Sequence, residues 1–422
     1  LFGLSKILKP KILKIQREKA KKFLNNLYKK KNITNNEICD LKINNIYIGD
    51  ILYDSVLRSG NLFTIDIYSS LFKNKFIKFL SLFFFWQDYF RLKDVKAVIA
   101  CHDTYLSAIP LRIASMSGIK AIVVEAERIW QLNKKNLHTH KENNSYDKIF
   151  KKFDKSSKQK FINEVKYKYI DDISNLKKSI AKKNAFKSNQ KLKVLISPHS
   201  FSDAPHVRGK LLFADFYLWL IFLLNKSKST NYEWYIKFHP NYKLFFDDTY
   251  FTVKNIIKNH YKNVKWIDPK TNNKDLIIKK NIDIGLTVHG SIGHELPLYN
   301  IPVINASLNN PHVRYDFNLH PKDVKQYEKV IDNLHKVKIN INKDKVFEYI
   351  FMHQMYFDKT WLGEEFNKII TNTNFNNLFK KMESNIILDK IDLNKVNNLL
   401  TKFFDTNNYC LLTNHSNIIK LN

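Results

Sequence analysis

The stretch Lys193–His206, KVLISPHSFSDAPH, decides the fold. It opens on a short apolar run, Val194-Leu195-Ile196, of the kind that forms a strand buried on both faces. From Ser197 to His206 it then packs two histidines, two prolines, three serines and one aspartate into a segment too broken for helix or strand. A buried strand that gives way to such a loop raises the expectation of a ligand at its carboxyl end.

Working outward, the same alternation repeats. A helix is expected over Ala214–Leu224, a strand over Glu233–Phe238, a helix over Thr249–Tyr261 and a strand over Asn263–Ile267. A helix near Lys274–Lys280, a strand over Ile282–Val288, a helix over Ile292–Tyr299 and a strand over Ile301–Asn305 complete the set. Such a series specifies a doubly wound α/β domain, where ligands gather at the carboxyl ends of the strands.

A first, shorter series precedes it. Asn45–Arg58 reads as a strand turning into a helix, Asp94–Ala100 as a buried strand, Thr104–Gly118 as a helix ending at its glycine, and Ile119–Ala126 as a strand. A β-α-β unit of that length implies parallel strands with a right-handed crossover. Residues 1 to 35 read as a basic amphipathic helix or arm, and the chain after Pro321 is expected to be mostly helical, closing the structure or crossing back to the first unit.

The expected fold class is therefore α/β, with two Rossmann-like doubly wound domains, a helical connector and a helical C-terminal region. The boundaries are 1–133 for an N-terminal α/β domain, 134–190 for the connector, 191–330 for a C-terminal Rossmann-like domain, and 331–422 for the helical C-terminal region. The length of 422 residues suits more than one core, and 44% hydrophobic residues exclude a disordered chain. Cys39, Cys101 and Cys410 stand far apart without a CxxC pair, which points away from a disulfide framework or structural zinc and toward a reducing cytoplasm. The longest apolar runs, Phe79–Trp86 and Leu218–Leu224, are too short to span a bilayer.

Net charge is +31, with lysine and asparagine spread throughout in the manner of A/T-rich codon usage. Attraction to an anionic inner-membrane surface is a secondary consequence of that charge. Nucleic acid is not an expected partner, because no recognition-module signature is present.

Three loops leave the carboxyl ends of expected strands. The first carries Asp203 and His206. There a carboxylate in a turn beside an imidazole is placed to take a proton from a hydroxyl, or alternatively to cap its own backbone in an Asx turn. The second is KFHPN, where Lys237 and His239 alternate along the strand end and donate to phosphate oxygens; a capped, half-buried histidine is the alternative. The third is TVHGSIGHE, Thr287–Glu295, where Gly290 and Gly293 permit close approach and Ser291 with free amides at the next helix offers donors to a phosphate. A plain strand-to-helix turn explains it equally well. With His289 and Glu295 these residues form the candidate donor site, and Asp203 with His206 the candidate catalytic pair. Asp103, after the strand Asp94–Ala100, faces the acceptor side or caps the helix that begins at Thr104. No HExxH or Asp-x-Asp pair indicates a metal, no GxSxG elbow indicates a serine nucleophile, and no cofactor is expected.

The blocks GDILYDSVLR, DAPH, FADFYLWL, YIKFHPN, HGSIGHELPLYNIPVINA and NPHVRYDF, scattered over Asn45–Tyr327, resemble bacterial capsule and surface polysaccharide biosynthesis proteins of the GT-B glycosyltransferase kind. That resemblance implies an inverting, metal-independent transfer from a nucleotide-sugar donor, CMP-linked by analogy, to a polysaccharide or lipid-linked glycan acceptor. It implies an acceptor side in 1–133 and nucleotide-sugar binding in 191–330, and it assigns His239 and Ser291 to the donor phosphate, Glu295 to the ribose or nucleobase, and Asp203 the role of general base. The family often has Gly before the Ile-Pro step where this chain has Asn300, a residue that tolerates a left-handed turn.

Overall fold

A computed structural model of the chain describes residues 10–125, 128–140, 146–170, 191–240, 247–271, 273, 276, 282–337, 339–357, 393–406 and 408–411. The expected helix near Lys274–Lys280 lies almost wholly outside them, as do 171–190 of the connector and 358–392 of the C-terminal region.

Eleven strands are described: β1 Lys42–Ile43, β2 Ile46–Tyr47, β3 Ala97–Ala100, β4 Lys120–Val124, β5 Ile129–Leu132, β6 Lys193–Ile196, β7 Glu233–Lys237, β8 Val264–Ile267, β9 Ile284–Thr287, β10 Val303–Asn305 and β11 Cys410–Leu411. The β6 to β10 set forms one parallel sheet in the order β10-β9-β6-β7-β8. Alternation along its strands divides two cores. Val194, Ile196, Trp234 and Ile236 pack with Trp219, Leu223, Val253 and Ile257, while Leu195, Tyr235 and Val303 pack with Leu276, Ile292 and Leu296 on the opposite face. This is the doubly wound sheet expected from Lys193 onward. Its strand order reverses between β6 and β9, which opens a crevice at their carboxyl ends.

The other large sheet, β11-β5-β4-β3, departs from the expectation of a second doubly wound domain. β3 and β4 are parallel around the helix Ala108–Ser117, which Gly118 ends at φ +79° as expected. β5, which the sequence did not signal, runs antiparallel to β4, and Glu125 N–H closes the turn onto Arg128 C=O at 2.9 Å. So short a connection permits only a hairpin return, since a parallel neighbour needs a crossover of about a dozen residues or more. β11 then arrives from the far end of the chain and pairs antiparallel with β5, Cys410 opposite Trp130, so the C-terminal region does cross back. The basic arm forms the helix Lys14–Tyr28, which buries Ala20 and Leu24 beside Phe72, Phe76 and Phe79 of the helix Ser70–Leu92. No helix among the described residues is long and apolar enough to cross a membrane.

The helix Gly49–Gly60 is buried from Gly49 through Leu57, carboxylates included. A Cβ at Gly49 would collide with the carbonyls of Ile38 and Cys39, so the residue is fixed by close approach. Asp50 accepts from Arg112 Nη2 at 2.7 Å and Nη1 at 3.2 Å, and lies 2.7 Å from His138 Nε2. Burial opposes its ionisation, but Arg112 and His138 outweigh burial and hold the carboxyl well below its ordinary range. One turn on, Tyr53 Oη donates to Asp215 Oδ2 at 2.7 Å, and Asp54 accepts from His206 N–H at 3.1 Å and meets His206 Nδ1 at 2.7 Å. Burial works against both charges of that pair, yet the Asp54 carboxylate raises the His206 imidazole well above its ordinary value.

A histidine cluster underlies the turn after β9. Gln354 Nε2 donates to His294 Nε2 at 3.0 Å, so His294 carries its proton on Nδ1 and donates it to His312 Nε2 at 3.1 Å. Burial pushes His294 down to about 4 and His312 well below 6.5, and both rings lie against Tyr349. Gly293 is packed so closely on His312 that a side chain there would strike the imidazole.

Two stability predictions follow from these buried groups. Asp50→Ala strands Arg112 in the interior and should lower the unfolding free energy by about 3–5 kcal/mol in urea titrations. The histidine cluster is neutral when folded and protonates more readily when unfolded, so its contribution is full above about pH 6.5 and is lost as pH falls toward about 4. His294→Asn should flatten that fall in unfolding midpoints measured across the same range. The His206 pair has the opposite sign: its contribution is present at low pH and fades as pH rises through the raised folded value.

Candidate functional site

Two adjoining cavities lie at the carboxyl ends of β6, β7 and β9. The first, about 550 Å³, runs from the parallel sheet to the loop after β3; its walls include Asp103, Tyr105, Glu125, His140, Asp203, Arg208 and His289. The second, about 400 Å³, is lined by Lys237, Asn273, Gly290, Ser291 and Glu295 among others. His199, Phe238 and His239 border both. Each volume is within the range of small-molecule sites, roughly 300–1,000 Å³.

The three loops therefore meet, although not every expected residue takes part. Asp203 lines the first cavity, where Tyr105 Oη donates to its Oδ1 at 3.0 Å and Arg58 Nη1 approaches the same oxygen at 3.7 Å. Among the described residues its Oδ2 makes no hydrogen bond. Tyr105 holds this position in a left-handed backbone, φ +55°, a conformation that costs a bulky residue on the order of 1–3 kcal/mol and recurs at functional sites. The carboxylate thus belongs to the loop after β6, and both partners that orient it come from the other half of the chain. It is not the Asx-turn alternative that fixes it.

His206 is displaced from the expected catalytic pair. It is 3% exposed and committed to Asp54, so its role is to join the Gly49–Gly60 helix to the loop after β6. Of the two readings of Asp103, the helix cap fails: Asp103 lines the first cavity and accepts from Thr139 N–H at 2.7 Å and Thr139 Oγ1 at 2.9 Å, which pins the segment carrying His138 and His140. The sequence could not signal either pairing, because the partners are remote in the chain.

Lys237 and His239 both reach the second cavity, as their alternation along the end of β7 requires. Lys237 is buried; desolvation lowers its ammonium below the ordinary value, against the opposing charges of Glu295 and Asp268. His239 is exposed at the mouth; partial desolvation of its ring, then the Lys237 charge, lower its value. Glu295 accepts from the Asn273 amide on the cavity wall.

The loop after β9 is narrower than the phosphate cradle the sequence implied. The helix that follows is a single turn, Ile292–Glu295. His289 N–H donates to His199 Nε2 at 3.2 Å and Gly290 N–H to Thr287 Oγ1 at 3.3 Å, so these two amides turn inward. Gly290 and Ser291 face the second cavity, His289 the first, and Gly293 lies behind them against His312. Asn300 takes the left-handed turn before the Ile-Pro step, φ +61°.

Arg208 and His199 are among the lining residues that went unassigned in the sequence. Arg208 donates from Nη1 to the His140 carbonyl at 2.8 Å, and its charge adds to burial in lowering His140, His199 and His289. His199, in the opening stretch itself, sits where the cavities join. Among the described residues no group of three or more His, Cys, Asp or Glu is arranged to hold a metal ion.

No protein-family model matches this chain, and no curated protein is similar to it in sequence. Several solved structures align with part of the chain at low similarity. A UDP-GlcNAc 2-epimerase of Methanocaldococcus jannaschii, in complex with UDP-GlcNAc and UDP, is 15% identical over 65% of this chain and 79% of its own, with a TM-score of 0.33. The UDP-GlcNAc 2-epimerase of Neisseria meningitidis is 13% identical over 65% and 78%, with a TM-score of 0.30. KpsC of Thermosulfurimonas dismutans, a beta Kdo 2,4 transferase, is 12% identical over 60% and 78%, with a TM-score of 0.32. Likeness at this level leaves function to be argued from the site.

Proposed function

We propose that this chain is a GT-B-type glycosyltransferase that moves a sugar, with inversion and without a metal, from a nucleotide-sugar donor to a surface polysaccharide or lipid-linked glycan. The observation that carries the reading is the pair of joined cavities, with a buried lysine in one and an oriented carboxylate in the other. Transfer needs both ends: positive charge where the phosphate leaves, and a base where the acceptor hydroxyl attacks.

In this reading the donor's phosphate lies against Lys237, His239, Gly290 and Ser291, and Glu295 with Asn273 faces the ribose or base. The acceptor enters the first cavity, and its hydroxyl gives its proton to Asp203 Oδ2 as the oxygen attacks the sugar carbon. The bond from that carbon to the phosphate oxygen breaks, and its electron pair leaves on the nucleotide. Arg58 and Tyr105, both on Oδ1, hold the carboxylate so that Oδ2 faces the substrate. The domains proposed are those of the two large sheets, and the lysine-rich surface would rest on anionic lipid at the cytoplasmic face of the inner membrane, where such acceptors are anchored.

A thermal-shift panel of CMP-, UDP-, GDP- and ADP-linked ligands should identify the donor, because a ligand that binds only the folded state raises the midpoint with saturation. Asp203→Asn should leave that shift intact and lower kcat by about 10²–10⁴-fold. His239→Ala should weaken donor binding by about 10- to 100-fold, the loss of a hydrogen bond to a charged group. Interconversion of the sugar without an acceptor would replace the transferase with an epimerase. Undiminished glycan production by Asp203→Asn, His239→Ala and Ser291→Ala chains would leave a non-catalytic glycan-binding protein.

A further inference from the structure

His199 stands at the point where the strand order reverses, on the loop after β6 and beside the loop after β9. Its ring packs against Phe216, 4.7 Å away centroid to centroid, and His289, 4.5 Å away, and those two rings lie 5.4 Å from each other, so the three form a compact triangle. The Cε1 edge also closes on Gly290, where a Cβ would come within 3.2 Å.

The hydrogen bonds fix which nitrogen carries the proton. The backbone N–H of His289 points at Nε2 from 3.2 Å, and an amide can only donate, so Nε2 must present its lone pair. Thr287 Oγ1, 3.3 Å from the same nitrogen, is itself fixed by donating to the Ser197 carbonyl at 3.1 Å and accepting from Gly290 N–H. A neutral ring with Nε2 unprotonated carries its hydrogen on Nδ1. Among the described residues Nδ1 has no acceptor, and the ring borders both cavities.

We propose that His199 is a catalytic residue: its Nδ1–H is a neutral donor to the phosphate oxygen that takes up the electron pair as the glycosyl bond breaks. The inference rests on the transferase reading and adds to it a residue at the junction, between the base at one end and Lys237 at the other. The imidazole transfers no proton; the acceptor's proton goes to Asp203, and the donor hydrogen bond shortens as charge builds on the leaving oxygen. A neutral donor suits this position. Burial first, then the charges of Arg208 and His239, push His199 down to about 3, so the N–H is present unchanged from mildly acidic to alkaline pH. Arg208, His239 and His289 are the titratable or charged groups that face it from the neighbouring elements.

Two substitutions separate this role from simple support of the loop. In His199→Asn the amide nitrogen occupies the place of Nδ1 and keeps the donor; in His199→Gln the amide oxygen reaches the place of Nε2 and keeps only the acceptor for His289 N–H. With the donor nucleotide sugar found by thermal shift, His199→Gln should bind it as the native chain does and lose about 100-fold in kcat, while His199→Asn retains most of the rate. Full activity in the Gln chain, or equal losses in both, would overturn the proposal. Nitrogen NMR of histidine-labelled protein, with the His199 signal assigned from the Asn chain, gives a readout independent of turnover. It should show a neutral ring protonated on Nδ1 at pH 7 and still at pH 5, shifted by saturating CMP or UDP. A ring protonated on Nε2, charged at pH 5, or unmoved by a bound nucleotide refutes the donor. If the nucleotide moves the signal but the native chain transfers no sugar from any donor, the donor stands and the transferase reading falls.

Discussion

Two carboxylates one turn apart on the buried stretch of the helix Gly49–Gly60 set the terms for the rest of this molecule. Asp50 and Asp54 have no water to solvate them, so each must find its cationic or donor partner in the interior. Asp50 finds Arg112 and His138, and Asp54 finds His206. Tyr53, between them, reaches Asp215 at the start of the helix Phe216–Ser229. One helix from the first half thereby fixes the loop after β6 and the helix that follows it. The face that carries Asp203 is held at a set distance from the loop that carries Tyr105.

The site itself is rich in imidazoles. His199, His289 and His140 line a cavity that also holds the Arg208 guanidinium, and burial together with that charge disfavours protonating them. The cavity therefore has few fixed cations and many neutral ring nitrogens, whose directions are set by the backbone around them. Beneath the neighbouring turn, His294 and His312 are buried and hydrogen-bonded to each other, and burial keeps both neutral. The same residue type thus does different work according to whether a ring nitrogen is left facing open space.

Much of the architecture was legible in the chain. The apolar runs from Val194 to Ile304 carry the strands of the parallel sheet, Gly118 ends its helix, and Asn300 adopts the left-handed turn that its small polar side chain tolerates. The convergence of Asp203, His239 and the Gly290–Ser291 bend was legible for a general reason: in a parallel α/β sheet all loops at the carboxyl ends share one side. The mixed character of the first sheet was not, because β5 is short and β11 lies far away in the sequence.

Composition and periodicity alone determined the α/β class, the strands of the second sheet and the side on which a ligand would gather, since these follow from local apolar patterning and the handedness of crossovers. Tertiary structure alone decided which polar residues face that ligand. Asp203 and His206 are separated by two residues in the same loop, yet one borders the cavity and the other is locked to Asp54. Partners as remote as Asp54, Thr139 and Tyr105 leave no trace in local sequence, and it is the partner, through charge and burial, that assigns a polar side chain to support or to chemistry.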